Sequence, residues 1–263
     1  MDTLNAILLG ILQGLTEFLP VSSSGHLVIA QTMLPGFAQP GVVFDVLLHA
    51  GTMAAVMVYF RRECLLIASS PFRPAAESCP DRRLLLLLAA GSVPTAIIGL
   101  LFKDHVEALF DNLTVTSLML LVTGFLLFIS ERFRGDGRRE ADLTLRDALL
   151  VGLVQGAALL PGISRSGSTI AVLLLLGVAG ETAARFSFLL ALPAVAGATL
   201  LSLRELSGLP PGTLPAYLAG AGVAFLVGMI SIHMLLAVVR RKRLVAFALY
   251  CWLVGGTFFA LSL

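Results

Sequence analysis

Gln13 and Glu17 stand four residues apart, so on a helix they share one face. The run around the acid, LTEFLP, is otherwise apolar. A carboxylate in such surroundings is costly unless paired or hydrated, and an ionisable group kept there marks a functional site or a partner for a neighbouring helix. Then come Ser22, Ser23, Ser24, Gly25 and His26. A hydroxyl just before a helix can cap it, but a cap accounts for one serine, not three. A glycine-flanked serine run at a helix start also presents N–H groups and the positive end of the helix dipole to an anion. Ser164, Arg165, Ser166, Gly167, Ser168 and Thr169 repeat the arrangement with an arginine inside it. A guanidinium is a planar, permanently charged fork that suits phosphate oxygens. Pairing with Glu17 is its other use, and the two are compatible. With His26 added, an acid, an imidazole, hydroxyls and an arginine would converge on one anion. His49 follows Asp45 by four residues and reads evenly as a supporting group or a packing residue. His105 and His233 lack clustered polar neighbours and are not expected to take part.

These groups lie in two stretches that resemble each other. Gly10–His26 (GILQGLTEFLPVSSSGH) falls on Gly152–Ser168 (GLVQGAALLPGISRSGS) at an offset of 142 without a gap, and six of the 17 positions are identical. Phe44 and Phe186 share the offset. Each stretch is an apolar helix broken by Pro, Gly and Ser. Interrupted apolar segments at matching places in two halves point to a membrane-embedded site built from a repeat. The copies have diverged: Glu17 faces Leu159, Ser23 faces Arg165, and His26 faces Ser168. The acid and the histidine sit in one copy and the arginine in the other, so one composite site would need both.

The rest of the chain must hold these stretches in a bilayer. Its 263 residues are 57% hydrophobic and 13% charged, with mean hydropathy +0.95, where a soluble domain carries about 25% charge. The start, MDTLNAIL, has neither a basic segment nor a cleavage pattern, so no removable signal peptide is expected. Cys64, Cys79 and Cys251 have no metal-ligand spacing. A span needs about 20 apolar residues. Full spans are expected at 42–60, 84–102, 114–129, 185–203, 216–239 and 244–261, with kinks at Pro94 and Pro193. Residues 1–34 and 148–178 are too broken to span and read as hairpins that enter and return. The expected fold class is all-α: a polytopic integral membrane protein with six transmembrane helices plus two re-entrant helical hairpins in an inverted repeat. It forms a single membrane domain, 1–263, with repeat halves 1–132 and 146–263.

Orientation follows the Lys/Arg counts of the loops. Loops 61–83 and 131–147 carry five each and the turn 240–243 carries four, while 103–113 and 204–215 carry one each. The basic loops are expected in the cytoplasm and both termini outside. Three spans per half invert the second half, so hairpin one enters from outside, hairpin two from the cytoplasm, and their tips meet within the membrane. Gly10/Gly14 and Gly152/Gly156 would let the hairpin helices pack closely. Reactive groups extend along both arms of hairpin one, whereas Leu159 and Ser168 carry no ionisable group. The cavity is therefore expected to open outward.

Other phosphate chemistries fit less well. There is no GxxxxGK[ST] loop and no HExxH zinc motif. The type-2 phosphatidate phosphatase pattern needs SR followed by a downstream His and Asp, and SRSGST is followed by no histidine until His233. QGLTEFLPVSSSGH and PGISRSGST instead resemble the two signature motifs of the bacterial undecaprenyl-diphosphate phosphatase family, also called the bacitracin-resistance family. Those motifs are Glu or Gln, three residues, Glu, then the serine run and His, and PGxSRSxxT. The hydropathy profile is similar over nearly the whole chain. The first acidic position is Gln13 here, which the family tolerates but which weakens any metal role of that position.

The resemblance implies a hydrolase of the bacterial plasma (inner) membrane. It would remove the terminal phosphate of undecaprenyl diphosphate, returning the lipid carrier to peptidoglycan synthesis and conferring bacitracin resistance. It implies a divalent cation, Mg or Ca, near Glu17 with Gln13. It also implies catalytic roles for Glu17, Ser23, His26 and Arg165, with Gln13, Ser22, Ser24, Gly25, Ser164, Ser166 and Thr169 binding substrate. Ser23 is the first choice of nucleophile, with His26 or Glu17 as base; direct attack by His26, or by water on the cation, are the alternatives. The expected partners are the polyprenyl diphosphate, membrane lipids and, among proteins, a second copy in a homodimer, with no nucleic acid. The competing class is a transporter or flippase for a phosphorylated lipid or anion, because inverted repeats with broken helices are also transporter architecture.

Overall fold

The computed structural model describes residues 2–34, 42–110, 112–133, 135, 137–202, 212–241 and 243–262. Asp111, Arg134, Lys242 and most of loop 204–215, with Arg204, lie outside them. The described residues are helical almost throughout, and their only extended pairing is an isolated bridge between Arg138 and Val178. The helices are α1 (Thr3–Thr16), α2 (Ser23–Met33), α3 (Val42–Tyr59), α4 (Arg61–Ser69), α5 (Ala75–Leu101), α6 (Lys103–Leu109), α7 (Leu113–Arg132), α8 (Leu145–Ala157), α9 (Arg165–Leu175), α10 (Gly180–Ser202), α11 (Leu214–Arg240) and α12 (Val245–Leu261).

Local chemistry explains the helix starts. The Asp2 carboxylate accepts from the Asn5 N–H at 2.7 Å. Thr144 and Asp147 form a reciprocal capping box at α8. Ser22 and Ser164 cap α2 and α9 by accepting from the Gly25 and Gly167 N–H groups at 3.2 and 3.0 Å. α2 and α9 begin and end 142 positions apart; α1 and α8 begin 142 apart, with α8 one residue shorter.

Among the described residues, four helices are long and apolar enough to cross a membrane: Pro80–Leu101, Leu113–Arg132, Gly180–Leu201 and Leu214–Arg240. α3 joins them as a fifth if it counts as one span with α4, which is bent from it by 83°. α12 is a shorter apolar helix. The chain is thus a multi-pass membrane protein, and four or five of the six expected spans are met on length and apolarity. The region expected as a polar loop, 61–83, is helical instead. Pro71 occupies the first turn of a short 3-10 helix and Pro74 precedes α5. At a helix start the missing proline N–H has no bond to lose.

The most extensive pairings are α1 on α11, α7 on α12, α5 on α8 and α3 on α11. Glycines make the first and third possible. A Cβ on Gly10 would run into the Gly220 carbonyl, and one on Gly152 into that of Gly91. A large apolar core includes Phe18, Phe60 and Phe188, with the Phe18 and Phe188 rings meeting edge to face at 5.3 Å.

Candidate active site

The two broken segments meet at their tips. Pro20 lies between α1 and α2, and Pro161 and Gly162 between α8 and α9. Gly162 has φ +94°, a turn conformation that a side chain would strain. Ser22 is the one non-glycine residue with positive φ among those described, at 68°. Such conformations concentrate at functional sites. A Cβ on Gly25 would lie 3.2 Å from the Gly162 Cα, and one on Gly167 3.1 Å from the Pro20 Cβ. Each tip thus uses a glycine to admit the other.

Glu17, directly after α1, is the hub of the junction. Its Oε1 accepts from Arg165 Nη2 at 2.5 Å. Its Oε2 accepts from the Ser23 hydroxyl at 2.6 Å and from Gln13 Nε2 at 3.0 Å. Nδ1 of His49 stands 3.1 Å from the same oxygen. The carboxylate is 4% exposed, so it is a desolvated charge held by one cation and several hydrogen bonds. Arg165 sits in the first turn of α9, facing the other tip. Its Nη1 reaches the Ser187 carbonyl at 3.5 Å, and a guanidinium carries five N–H donors, more than these two contacts use. Glu17, Ser23, Ser24, His49, Ser164 and Arg165 share one cavity of about 190 Å³, whose other walls are largely apolar.

The expected site residues separate into groups. Glu17, Ser23, Arg165 and Gln13 come together. Ser24 and Ser164 line the cavity beside them. Ser22 and Gly25 form the α2 cap. Ser166 donates to the Leu19 carbonyl at 3.4 Å, and Thr169 pairs with the Ser187 hydroxyl at 2.6 Å, so both brace the second tip. His26 turns elsewhere: Nδ1 is 2.8 Å from the Ser22 carbonyl oxygen and Nε2 is 2.8 Å from the Tyr250 hydroxyl. Both ring nitrogens are thereby engaged away from Glu17.

Reading the sequence alone did not find Tyr250, Thr95 or Gln155. Gln155, the repeat counterpart of Gln13, donates to the Thr95 hydroxyl at 3.2 Å and the Leu190 carbonyl at 3.3 Å, and it lines the cavity. The repeat offset pointed to Gln155, but nothing in sequence pointed to the other two. The Oε1 atoms of Gln13 and Gln155 are both buried, with no hydrogen-bond partner among the described residues. An amide oxygen is a hard donor of the kind Mg and Ca take. No group of three or more His, Cys, Asp or Glu that could hold a metal occurs among the described residues. A cation here would therefore draw most of its ligands from a bound anion and water.

The chain matches a family model described as bacitracin resistance protein BacA over residues 6–257. It is 64% identical to the undecaprenyl-diphosphatase of Syntrophotalea carbinolica over the full length of both chains. It is 42% identical to that of Desulforapulum autotrophicum, covering 97% of this chain and 96% of that one. With that of Carboxydothermus hydrogenoformans the identity is 40%, over 100% and 98%.

Proposed function

The chain belongs to the bacitracin resistance protein BacA family, and from that membership we propose that it is an integral-membrane hydrolase. It removes the terminal phosphate of undecaprenyl diphosphate and returns undecaprenyl phosphate to peptidoglycan synthesis, with bacitracin resistance as a consequence. The observation that carries the reading is the junction itself. A hydroxyl, a carboxylate and a guanidinium from two hairpins meet in one cavity inside an apolar protein.

In this reading Arg165 and the N–H groups opening α2 and α9 bind the diphosphate and stabilise charge on the transferring phosphoryl group. Ser23 Oγ attacks the terminal phosphorus and gives its proton to Glu17 Oε2. The bridging P–O bond breaks and undecaprenyl phosphate leaves. Water then cleaves the phosphoserine, releasing phosphate and restoring Ser23. The 2.6 Å contact between Ser23 and Glu17 favours Glu17 over His26 as the base. His26, tied to Ser22 and Tyr250, steadies the first tip. Ser22, Ser24, Gly25, Ser164, Ser166 and Thr169 shape the anion pocket or hold its walls. Gln13 Oε1 and Glu17 would hold a divalent cation, Mg or Ca, together with the diphosphate, and the cation would supply charge neutralisation on the phosphate oxygens.

The finer architecture belongs to the same proposal. One membrane domain, 1–263, carries six spans and two re-entrant hairpins, with inverted halves 1–132 and 146–263. The matched helix starts of α1 with α8 and the matched bounds of α2 with α9 support it. The protein sits in the bacterial plasma membrane with the site facing outward. Val46 near the start of α3, Phe110 after α6 and Ala198 near the end of α10 wall the cavity, and the loop charges assign all three ends to the exterior. Lipid is the partner, a homodimer is the protein assembly to look for, and no nucleic acid is involved. The test is phosphate release from a C55 diphosphate lipid by purified protein in detergent. Its absence would overturn the reading.

A further inference from the structure

α3 brings an imidazole to the reacting carboxylate from a third direction. His49 Nδ1 lies 3.1 Å from Glu17 Oε2 and 2.9 Å from Gln13 Nε2, and that amide nitrogen is 3.0 Å from the same Oε2. The three atoms make a nearly equilateral triangle, and its hydrogens can be worked out. Turning Gln13 Oε1 toward Glu17 would oppose two acceptors, so Nε2 must be the atom that faces Oε2, and it donates. The two amide hydrogens diverge too widely to lie along two sides of so small a triangle. The contact between Gln13 and Nδ1 is therefore not a second straight hydrogen bond. A bare Nδ1 would press its lone pair against the carboxylate oxygen. With hydrogen on Nδ1, it donates to Oε2 instead.

This matters because Oε2 is also the oxygen that Ser23 touches. Arg165 fixes the other oxygen and must share its donors with an incoming diphosphate. Something else has to keep Oε2 aimed at the serine. The frame behind His49 is firm. Asp45, one turn earlier on α3, accepts from Gln31 Nε2 of α2 at 3.1 Å, and α3 packs on α10 and α11. We propose that His49 is a positioning residue for the phosphoryl transfer, its Nδ1–H holding Glu17 Oε2 against the Ser23 hydroxyl. The inference rests on the roles given above to Glu17 and Ser23.

Substitutions that separate the two ring nitrogens test it. In His49→Asn the amide nitrogen takes the place of Nδ1; in His49→Gln it takes the place of Nε2. Kinetics on the C55 diphosphate lipid should show kcat falling about 10- to 100-fold in His49→Ala, the effect of losing a hydrogen bond to a charged group. KM should stay near wild type. His49→Asn should recover kcat to within about threefold of wild type while His49→Gln does not, the split expected of a transition-state effect rather than of binding. Unchanged kcat in His49→Ala, or Asn no better than Gln, would overturn the proposal. If His49→Ala fails to fold, the comparison of Asn with Gln decides alone. A wild-type protein that releases no phosphate would sink the functional reading first. The nitrogen-15 spectrum of histidine-labelled protein would still judge the contact. A protonated Nδ1 signal, absent in His49→Asn and shifted in Glu17→Gln, supports it, and an unprotonated Nδ1 overturns it.

Discussion

Glu17 and Arg165 form an ion pair with side chains 4% and 16% exposed, inside a protein whose surroundings are apolar as well. Breaking such a pair leaves one charge stranded and costs roughly 3–5 kcal/mol, whereas replacing both partners by neutral groups of similar shape can cost little. Stability and activity should therefore part company. Arg165→Ala should lower the unfolding free energy by that amount and abolish turnover. The double variant Glu17→Gln/Arg165→Met should regain most of the stability and stay inactive. Denaturant unfolding in mixed micelles, read beside phosphate release, checks both, and an active double variant would remove the pair from the chemistry. Arg165→Lys should also fail, because a point charge cannot replace the fork. The Glu17–Arg165 pairing was legible in sequence because each is an isolated charge in an apolar stretch. The partners of His26 and His49 were not. Tyr250 is 224 residues from His26, and the approach of His49 to Glu17 depends on how α3 is turned about its own axis, which an almost uniformly apolar helix does not declare.

The hairpin arms lie against their neighbours by backbone approach at Gly10 and Gly152. Close packing of this kind is what small residues supply in a bilayer, where apolar burial gives helices no preference for each other over lipid. Gly10→Val and Gly152→Val should each push an arm off its partner helix, at about 1–3 kcal/mol by analogy with overpacked cores. Since both arms end at the same cavity, either change should also reduce turnover. Gly222 and Gly256, around which an added Cβ meets nothing, provide controls that should tolerate Val. Unfolding midpoints of the four variants decide the matter. The glycine spacing made these contacts readable. The helical run from Arg61 through the arginine-rich segment was not, because Pro71 and Pro74, which look like breakers in a sequence, stand where helices start, and Pro80 is carried inside α5.

Across the molecule, sidedness is the property with the clearest test. A cysteine introduced at Gly137 should resist an impermeant external reagent in intact cells, because the arginine-rich loops are assigned to the cytoplasm. A water-soluble short-chain diphosphate should be hydrolysed by right-side-out vesicles. Hydrolysis confined to sealed inverted vesicles would reverse the assignment, and equal access from both sides would favour the transporter reading. The 17-residue match showed which segments are alike, but not which helices interlock, since repetition says what is alike and not what touches. The four most extensive helix pairings each join an element of one half to an element of the other. Synthesis from the N-terminus therefore makes α1 long before α11 exists to receive it. The first hairpin must wait, unclasped, while about 200 further residues are inserted, a high-contact-order assembly that leaves its tip vulnerable to misinsertion and proteolysis. Neither half owns a finished interior. Segments 1–132 and 146–263 produced as separate polypeptides should each be degraded alone and persist together, reconstituting phosphatase activity in the same cell.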